Sequence, residues 1–357
     1  MPVATATRRL LRSPLVDLLV GPHGIDRYLE LVRPEITVRD ARAKVLDVRR
    51  QTPRSVTLTL RPNDAWKGFR AGQFVKVGVE IGGVRRTRTY SPACAEHHDG
   101  ELELTVTAHP GGLVSNHLRE QLRPGSILHL GEAQGEFVLP DERPDRLVLI
   151  SGGSGITPVL SMLRTLCAEG HADEVTFLHY ARTKADWLYR DELARLAERH
   201  PNLRVEYVAT REGGDHLSRA QLETIAGVEL NGATAAVCGP PALIDAVTEA
   251  WPNPDAVISE TFTPPAVSVT GPQATGTLRF LASDQTAEIG SGTLLEQAEA
   301  AGLTPEFGCR MGICHTCTCR KAGGTVRNVL TGETSDEEDE DIQLCISAPA
   351  GDVALDI

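Results

Sequence analysis

No stretch of this 357-residue sequence is apolar enough to cross a membrane. A spanning helix needs about 20 consecutive apolar residues, and the longest early run, residues 15–20, is interrupted by Asp17. Three arginines near the N-terminus are not followed by the apolar segment and the small-residue cleavage site of a secretory signal. The sequence therefore predicts a cytoplasmic protein without a transmembrane segment.

Basic residues are also in the minority, with 36 Lys and Arg against 48 Asp and Glu and a formal net charge of −12. A nucleic-acid-binding protein needs a basic face for the phosphates, so we expect no nucleic-acid partner. The acidic excess is uneven. Residues 276–357 carry 5 basic and 14 acidic side chains, a net charge of −9, and six of the acids are consecutive at 336–341.

Aromatic residues are few (7 Phe, 3 Trp and 5 Tyr), but a hydrophobic content of 41% is that of a folded protein. The eight cysteines are too few for a small secreted disulfide scaffold, in which they would be dense throughout. Instead, four of them lie within eleven residues. At about 100 to 200 residues per domain, the length predicts two or three domains.

Two regions differ in their periodicity. Residues 39–140 contain short alternating runs separated by Gly and Pro, which predicts an antiparallel barrel or sandwich. Its strands are predicted at 43–48, 56–60, 74–79, 102–107 and 127–130. Residues 141–263 alternate between strands and helices, which predicts a parallel sheet with ligands at the carboxyl ends of its strands. Its strands are predicted at 147–150, 175–180, 205–209 and 235–237, and its helices at 158–167, 190–198 and 242–250.

The rest of the chain divides into three segments. Residues 1–38 are predicted to form a helical extension, either a cap on the protein or an amphipathic segment resting on a membrane or a partner. Residues 264–276 have no periodicity and are predicted to be a linker. Residues 277–357 are predicted to form a small α+β unit, with strands at 277–281, 287–289 and 353–357 and a helix at 294–301.

The cysteine spacing carries the strongest chemical signal: C-x4-C-x2-C, then 27 residues, then a fourth cysteine. A 2Fe-2S cluster needs four thiolates, whereas a zinc ribbon, the alternative, usually has two C-x2-C knuckles. Cys319 lies too close to Cys317 to reach the opposite side of a cluster. The loop resembles that of plant-type ferredoxin domains, which implies a β-grasp fold. The predicted ligands are Cys309, Cys314, Cys317 and Cys345.

A possible electron source for such a cluster lies upstream. An Arg and an aromatic two residues apart on a strand share a face and can hold a phosphate and a flat ring, and a Gly-Gly turn can hold a second phosphate. A polar strand end and an ordinary turn are the alternative. The two motifs resemble the flavin barrel of the ferredoxin-NADP reductase superfamily, which implies that Ser91 lies near flavin N5. The implied flavin residues are Arg88, Thr89, Tyr90, Ser91, Gly112, Leu113, Val114 and Ser115.

Three later motifs resemble the nicotinamide side of the same superfamily. The first is a Gly-rich turn at 151–158 between a strand and a helix, where a phosphate can approach the helix N-terminus. The others imply that Cys238 flanks nicotinamide C4, Glu260 joins the polar network beside the flavin, and Phe262 lies against its ring. A buried free Cys and a core aromatic are the alternatives for Cys238 and Phe262. The implied nucleotide residues are Gly153, Gly155, Thr157, Gly239 and Pro240.

Cations near the ribose 2′-phosphate select NADPH over NADH. Thr210 and Arg211 follow the third predicted strand, where NADPH-using relatives have a Ser-Arg pair, and Arg182 and Lys184 follow the second. We therefore favour NADPH, with a solvated basic loop as the alternative. The 106–116 turn resembles that of FAD-using members, so FAD is favoured over FMN.

The resemblance covers residues 40–357 and implies an enzyme that passes electrons from NADPH through FAD and a 2Fe-2S cluster to an acceptor protein. This domain order is that of reductases serving oxygenases and desaturases, and the N-terminal extension is closest to reductases of membrane fatty-acyl desaturases. The acceptor is then an oxygenase or a desaturase, and a membrane-bound acceptor would place the protein at the membrane surface. Two alternatives remain: an FMN- and NADH-dependent oxygenase reductase, and a zinc-binding interaction module. The acidic run is either a solvated loop or a docking patch for a basic acceptor.

Overall fold

The computed structural model describes residues 25–26, 37–96, 100–225, 230–263 and 274–357. They form two compact units: the first holds the residues up to Arg86 and Tyr90–Phe262, and the second holds Thr87–Thr89 and Thr263–Ile357. The predicted extension at 1–38 lies almost wholly outside the described residues, as does the predicted linker at 264–276. No helix in the described ranges is long and apolar enough to cross a membrane.

The N-terminal sheet has six strands in the order β4-β3-β6-β1-β2-β5. The five predicted strands are confirmed, and β4 is the strand that ends in the Arg-x-Tyr motif. Pairings β1–β2, β1–β6, β2–β5 and β3–β6 are antiparallel, and their inward side chains form one apolar core. The elements are β1 Ala41–Thr52, β2 Ser55–Pro62, β3 Phe74–Ile81, β4 Val84–Tyr90, β5 Leu102–Thr107, helix α1 Leu113–Glu120 and β6 Ile127–Gln134.

The second sheet is wholly parallel, with strand order β11-β10-β7-β8-β9. The chain runs from β7 outward to β9 and then returns to β10, so the strand order reverses between β7 and β10. Apolar side chains cover both faces of the sheet. The strands are β7 Arg146–Gly152, β8 Glu174–Ala181, β9 Leu203–Ala209, β10 Thr234–Cys238 and β11 Val257–Glu260. The helices are α2 Ile156–Glu169, α3 Arg190–Arg199, α4 Arg219–Ile225 and α5 Pro241–Ala250.

The C-terminal sheet is mixed, in the order β13-β12-β17-β14-β15, with β16 paired to β14. Strands β12 and β17 are parallel while β14 and β17 are antiparallel, and helix α6 packs on the sheet. Thr293 and Glu296 form a capping box that starts α6. The elements are β12 Thr277–Phe280, β13 Gln285–Glu288, α6 Leu294–Ala300, β14 Thr318–Asn328, β15 Thr334–Ser335, β16 Glu340–Gln343 and β17 Ser347–Leu355.

The three sheets confirm the predicted fold class: an antiparallel β domain, a parallel α/β domain and a small α+β domain. One strand was placed wrongly, because the strand predicted at 353–357 is β17 and begins at Ser347. Helices α1 and α4 and strands β11, β14, β15 and β16 were not predicted.

Candidate functional site

A single row of side chains crosses the parallel sheet near the carboxyl ends of its five strands. Register partners on neighbouring parallel strands project to the same face of a sheet. Predicted residues Cys238 and Glu260 therefore lie side by side, next to two polar residues that the sequence did not single out. The row runs Glu260, Cys238, Ser151, His179 and Tyr207.

Cys238 and Glu260 are both neutral at pH 7. Burial raises the pKa of the Glu260 carboxyl to about 8. Burial, and then the charge of Glu260, raise the pKa of the fully buried Cys238 thiol well above 9. Glu260 Oε2 and the hydroxyl of Ser91 are buried without a hydrogen-bond partner among the described residues. Buried polar atoms are rarely left in this state, so each of the two positions suits a polar group of a ligand.

Ser151 and His179 were missed by the sequence reasoning. Both are fully buried, and Ser151 Oγ lies 2.9 Å from His179 Nδ1. The ring of His179 contacts the Tyr207 ring edge-on, with centroids 5.7 Å apart. Burial lowers the pKa of His179 to about 3, so the imidazole is neutral. The only sequence signal is a single His inside the apolar run at 175–180, which is equally typical of an ordinary core strand.

The Gly-rich turn after β7 meets the end of β10 where the strand order reverses, which is the usual ligand position in such sheets. A Cβ on Gly155 would lie 2.2 Å from the carbonyl oxygen of Cys238, and one on Gly152 would lie 2.8 Å from Pro240 Cδ. Gly153 has a φ of +56° and open space around it. No side chain caps helix α2 at Gly155, so its first N–H groups suit an anion. Thr157 is buried in the first turn of that helix.

The predicted ribose-phosphate residues lie at the same edge, on the loops after β8 and β9. The backbone N–H of Thr210 donates to the carbonyl of Ala181, and that of Arg211 donates to the carbonyl of Arg182, both at 2.9 Å. The side chains of Arg182 and Arg211 are exposed, and so is that of Lys184. The two loops thus bring exposed cations to the same edge of the sheet.

The predicted flavin residues occupy the end of β4 and the start of α1. Arg88, Thr89 and Tyr90 are half-buried on β4, and Ser91 directly follows it and is buried. The predicted turn at 111–116 continues into helix α1, whose N-cap residue Gly112 offers no capping side chain. The N–H groups at the start of this helix therefore suit a phosphate, the ligand expected for the Gly-Gly turn. The next three residues are Leu113, which is exposed, Val114, which is buried, and Ser115, which is half-buried.

Phe262, at the end of the first unit, is half-buried and packs against the same apolar cluster that contains Cys238. It thus lies on the Cys238 face of the parallel sheet. The strand before it, β11, was not predicted, so the sequence alone could not align Glu260 with Cys238.

The four predicted ligand cysteines approach one another as two thiol pairs. The thiols of Cys309 and Cys314 interact, and so do those of Cys317 and Cys345. In each pair this interaction lowers the pKa of one thiol, that of Cys314 or Cys317, and raises the pKa of its partner. No group of three or more His, Cys, Asp or Glu side chains in the described ranges is arranged to hold a single metal ion. Two pairs of thiols suit a two-iron cluster, in which the four cysteines are divided between two irons.

Backbone N–H groups already point at the sulfurs of this loop. The N–H of Cys309 donates to Cys314 Sγ at 3.2 Å, and that of Met311 donates to Cys309 Sγ at 3.3 Å. Gly308 is required because a Cβ there would lie 2.7 Å from Cys314 Sγ. Cys319 packs in the core of this domain, and burial raises the pKa of its thiol to about 11.

The acidic run at 336–341 is partly neutralised by strand β14. Arg320 pairs with Asp339 at 3.0 Å. The fully buried Lys321 pairs with Glu340 at 3.3 Å and donates to the carbonyls of Gly324, Ser335 and Glu337. Two of the six acids therefore have structural partners, and the docking role of this run stays a prediction.

Three family models match successive parts of the chain. They are an oxidoreductase FAD-binding domain over residues 47–139, an oxidoreductase NAD-binding domain over 149–249, and a 2Fe-2S iron-sulfur cluster binding domain over 281–350. The cofactor classes expected from the sequence motifs are thereby confirmed.

Relatives match this chain over most of their own length. An NADPH oxidoreductase of Mycobacterium tuberculosis is 36% identical, over 93% of this chain and 88% of the relative. A glycine betaine monooxygenase reductase subunit of Pseudomonas aeruginosa is 30% identical, over 81% of this chain and 87% of the relative. Among solved structures, phthalate dioxygenase reductase matches with a TM-score of 0.62 and 22% identity, over 88% of this chain and 97% of that one.

Proposed function

The chain belongs to the ferredoxin-NADP reductase superfamily, as an oxidoreductase with a C-terminal 2Fe-2S domain, and from this premise we propose that it supplies electrons from NADPH to an oxygenase. A bound flavin accepts a hydride from a nicotinamide and passes electrons on singly, and a 2Fe-2S cluster takes one electron at a time. The observation that carries the proposal is the presence of all three binding domains in one chain. Together they convert a two-electron donor into a source of single electrons.

In this proposal the sheet edge holds the nucleotide. The N-terminus of α2 and the turn at Gly153–Gly155 bind its pyrophosphate, and Cys238 flanks the nicotinamide. Arg182 and Arg211, with Thr210, bind the 2′-phosphate. Their exposed cations on two hydrogen-bonded loops support NADPH over NADH, and the mycobacterial relative is named for NADPH.

The flavin, proposed to be FAD, takes its place against Ser91 and Glu260. Their unpartnered buried oxygen atoms support this assignment, because each needs a hydrogen-bond partner. Arg88 and Tyr90 hold its phosphate and ring, and the uncapped start of α1 binds the pyrophosphate that FAD has and FMN lacks.

For the cluster, we assign Cys309 and Cys314 to one iron and Cys317 and Cys345 to the other. The two thiol pairs support this division. The two N–H groups that donate to Cys314 and Cys309 sulfurs would also stabilise negative charge on a bound cluster.

For the acceptor, the relatives favour an oxygenase. One relative is named a reductase subunit of glycine betaine monooxygenase, and another, from Rhizobium meliloti, a reductase subunit for stachydrine N-demethylation. A membrane fatty-acyl desaturase is the second candidate. Reconstitution of the purified reductase with each acceptor class separates the two, since only the true acceptor should turn over its substrate with NADPH.

A first experiment tests the electron route. We expect the purified protein to be coloured, to contain one FAD and two irons, and to lose its flavin absorbance when NADPH is added. Cys314→Ser should abolish reduction of a one-electron protein acceptor and leave ferricyanide reduction by the flavin intact. The matched control is Cys319→Ser, which should retain both. A colourless zinc protein, or loss of both activities in the Cys314 variant, would contradict the proposal.

A further inference from the structure

Helix α2 is hydrogen-bonded to the main chain that follows Ser91. Residues 91–95 are all buried, and Ser161 and Thr165 on the helix have no exposed surface. The contacts therefore form where water cannot compete with them. Three hydrogen bonds join the helix to this segment: Ser161 Oγ to Cys94 O at 2.6 Å, Arg164 Nη1 to Ala93 O at 2.7 Å, and Glu96 N to Thr165 Oγ1 at 3.1 Å.

Arg164 occupies the centre of this contact. Its Nε and Nη2 atoms each bind one oxygen of Glu192 at 2.7 Å, and Nη1 also binds Glu103 at 2.7 Å. Burial alone would lower the pKa of Arg164, but Glu192 and Glu103 raise it above its ordinary value, so the charge is kept. Four acceptors are held by one planar fork of donors, a geometry that the point charge of a lysine cannot reproduce.

Tyr189 closes the same network from the start of α3. Its hydroxyl lies in the barrel, donating to Glu103 at 3.1 Å and hydrogen-bonding Thr105. The guanidinium of Arg164 lies 5.2 Å from the centre of the Tyr189 ring. Contacts with Glu192, Glu103 and Tyr189 thus fix the position of Arg164. Arg164 can in turn fix the position of the segment that contains Ala93.

The other end of α2 is the Gly-rich turn that we propose for the nucleotide. From Gly155 to Arg164 the helix rises about 14 Å, at 1.5 Å per residue. One rigid element therefore begins at the nucleotide turn and is bonded, less than three turns later, to the chain leaving Ser91.

We infer that Arg164, assisted by Ser161, is a positioning residue for hydride transfer: it fixes the segment that carries Ser91 relative to the nucleotide turn. This inference rests on the proposed function. Hydride transfer needs donor and acceptor atoms about 3 to 3.5 Å apart, and a displacement of 1 Å costs roughly a hundredfold in rate. Nucleotide affinity is set elsewhere, by the turn and the two arginine loops, so Arg164 should affect the rate and not the binding.

The test compares Arg164→Lys and Ser161→Ala with a control on the same helix. Arg143 binds both oxygens of Glu169 near the far end of α2, at 3.0 and 2.8 Å, and also donates to the carbonyl of Pro140, whereas Glu96 acts on it only through its charge. Arg143→Met therefore removes a similar ion pair from the same helix. The limiting rate of FAD reduction by NADPH is measured by anaerobic stopped flow on FAD-loaded protein, together with the NADPH dissociation constant.

We expect Arg164→Lys to lower the limiting rate roughly ten- to a hundredfold and Ser161→Ala to lower it by up to about tenfold. The NADPH dissociation constant should stay within about twofold in both variants, and Arg143→Met should change neither quantity. An unchanged rate in Arg164→Lys, or an equal loss in Arg143→Met, overturns the inference.

Hydrogen exchange gives a readout that does not depend on turnover. The peptide containing residues 91–96 should lose amide protection in Arg164→Lys and keep it in Arg143→Met; equal protection in both would count against the inference. If Arg164→Lys does not fold, Ser161→Ala decides by the same two measurements. The wild-type protein distinguishes the two levels of the hypothesis, because failure of NADPH to reduce its flavin refutes the proposed function itself.

Discussion

Cys238 and Glu260 are register partners on adjacent parallel strands, and both are neutral at pH 7 because they are buried. The pair combines an uncharged thiol with a carboxyl group that titrates near pH 8. Such a carboxyl can hold a hydrogen bond as donor or acceptor within the physiological range. This property has measurable consequences for stability.

The first prediction concerns the pH dependence of unfolding. In the folded state Glu260 keeps its proton up to about pH 8, whereas its ordinary pKa is 4.5. The unfolded state releases that proton first, so stability contributed by this group falls as the pH rises from 4.5 to 8 and levels off above. Glu260→Gln should lack this decline, gaining at most about 1.4 kcal/mol per pH unit over the wild type in that window.

Denaturant unfolding of FAD-loaded protein at pH 5, 6, 7, 8 and 9 measures this difference. Glu198→Gln, at an exposed position of α3, controls for the loss of one negative charge. A difference between Glu260→Gln and wild type that is constant from pH 5 to 8 would show that Glu260 is already ionised.

The second prediction separates two glycines of the same turn. Gly155→Ala places a methyl group 2.2 Å from the carbonyl of Cys238 and should destabilise the protein by about 1 to 3 kcal/mol while weakening nucleotide binding. Gly153→Ala meets no neighbouring atom and should cost only about 1 kcal/mol, for its left-handed backbone. Thermal unfolding and NADP⁺ titration measure both effects, and equal costs at the two positions would contradict the described packing.

The third prediction concerns nucleotide choice. Arg211→Ala should raise the KM for NADPH about tenfold or more, because a charge-assisted hydrogen bond to a phosphate is lost. The KM for NADH should change little. Arg195→Ala, an exposed arginine of α3, serves as the control and should leave both constants unchanged. Equal effects on the two nucleotides would remove Arg211 from the 2′-phosphate site.

The fourth prediction compares two adjacent cations of β14. Lys321→Met leaves Glu340 and three carbonyls without their buried partner and should destabilise the C-terminal domain by about 3 kcal/mol or more. Arg320→Met removes an exposed pair with Asp339 and should cost less than about 1 kcal/mol. Loss of the visible cluster absorbance during denaturation reports on this domain, and similar midpoints for the two variants would refute the assignment.

Much of the fold was predictable because apolar periodicity is strong where a strand or helix is buried on a defined face. Strands β2 and β5 alternate clearly, and α2 is flanked by glycines at both ends. Strand β14 was missed because its sequence, TCRKAGGTVRN, has almost no apolar residues. Its position depends on pairing with β17 and on the burial of Lys321, and neither is a local property.

The site residues also divide into those that a local sequence pattern identifies and those that depend on the tertiary structure. Spacing alone predicted the cysteine loop at 309–317 and the Gly-rich turn, since both are confined to short stretches of chain. The row of side chains from Glu260 to Tyr207 could not be predicted, because Ser151 and His179 become neighbours only through strand register. One feature of the sequence could have pointed to Arg164. It is the single charged residue between Ile156 and Cys167, in a stretch of helix whose other residues are apolar or small.

Lys321 also affects how Cys345, the fourth predicted ligand, is positioned. Between Cys317 and Cys345 the chain makes a 27-residue excursion, and closing a flexible loop of that size costs on the order of 3 kcal/mol in entropy. The buried ammonium of Lys321, near the start of this segment, binds Ser335, Glu337 and Glu340 near its end. These contacts hold the two ends of the segment together. The entropy of closing this loop is therefore lost when the polypeptide folds, before iron and sulfide bind.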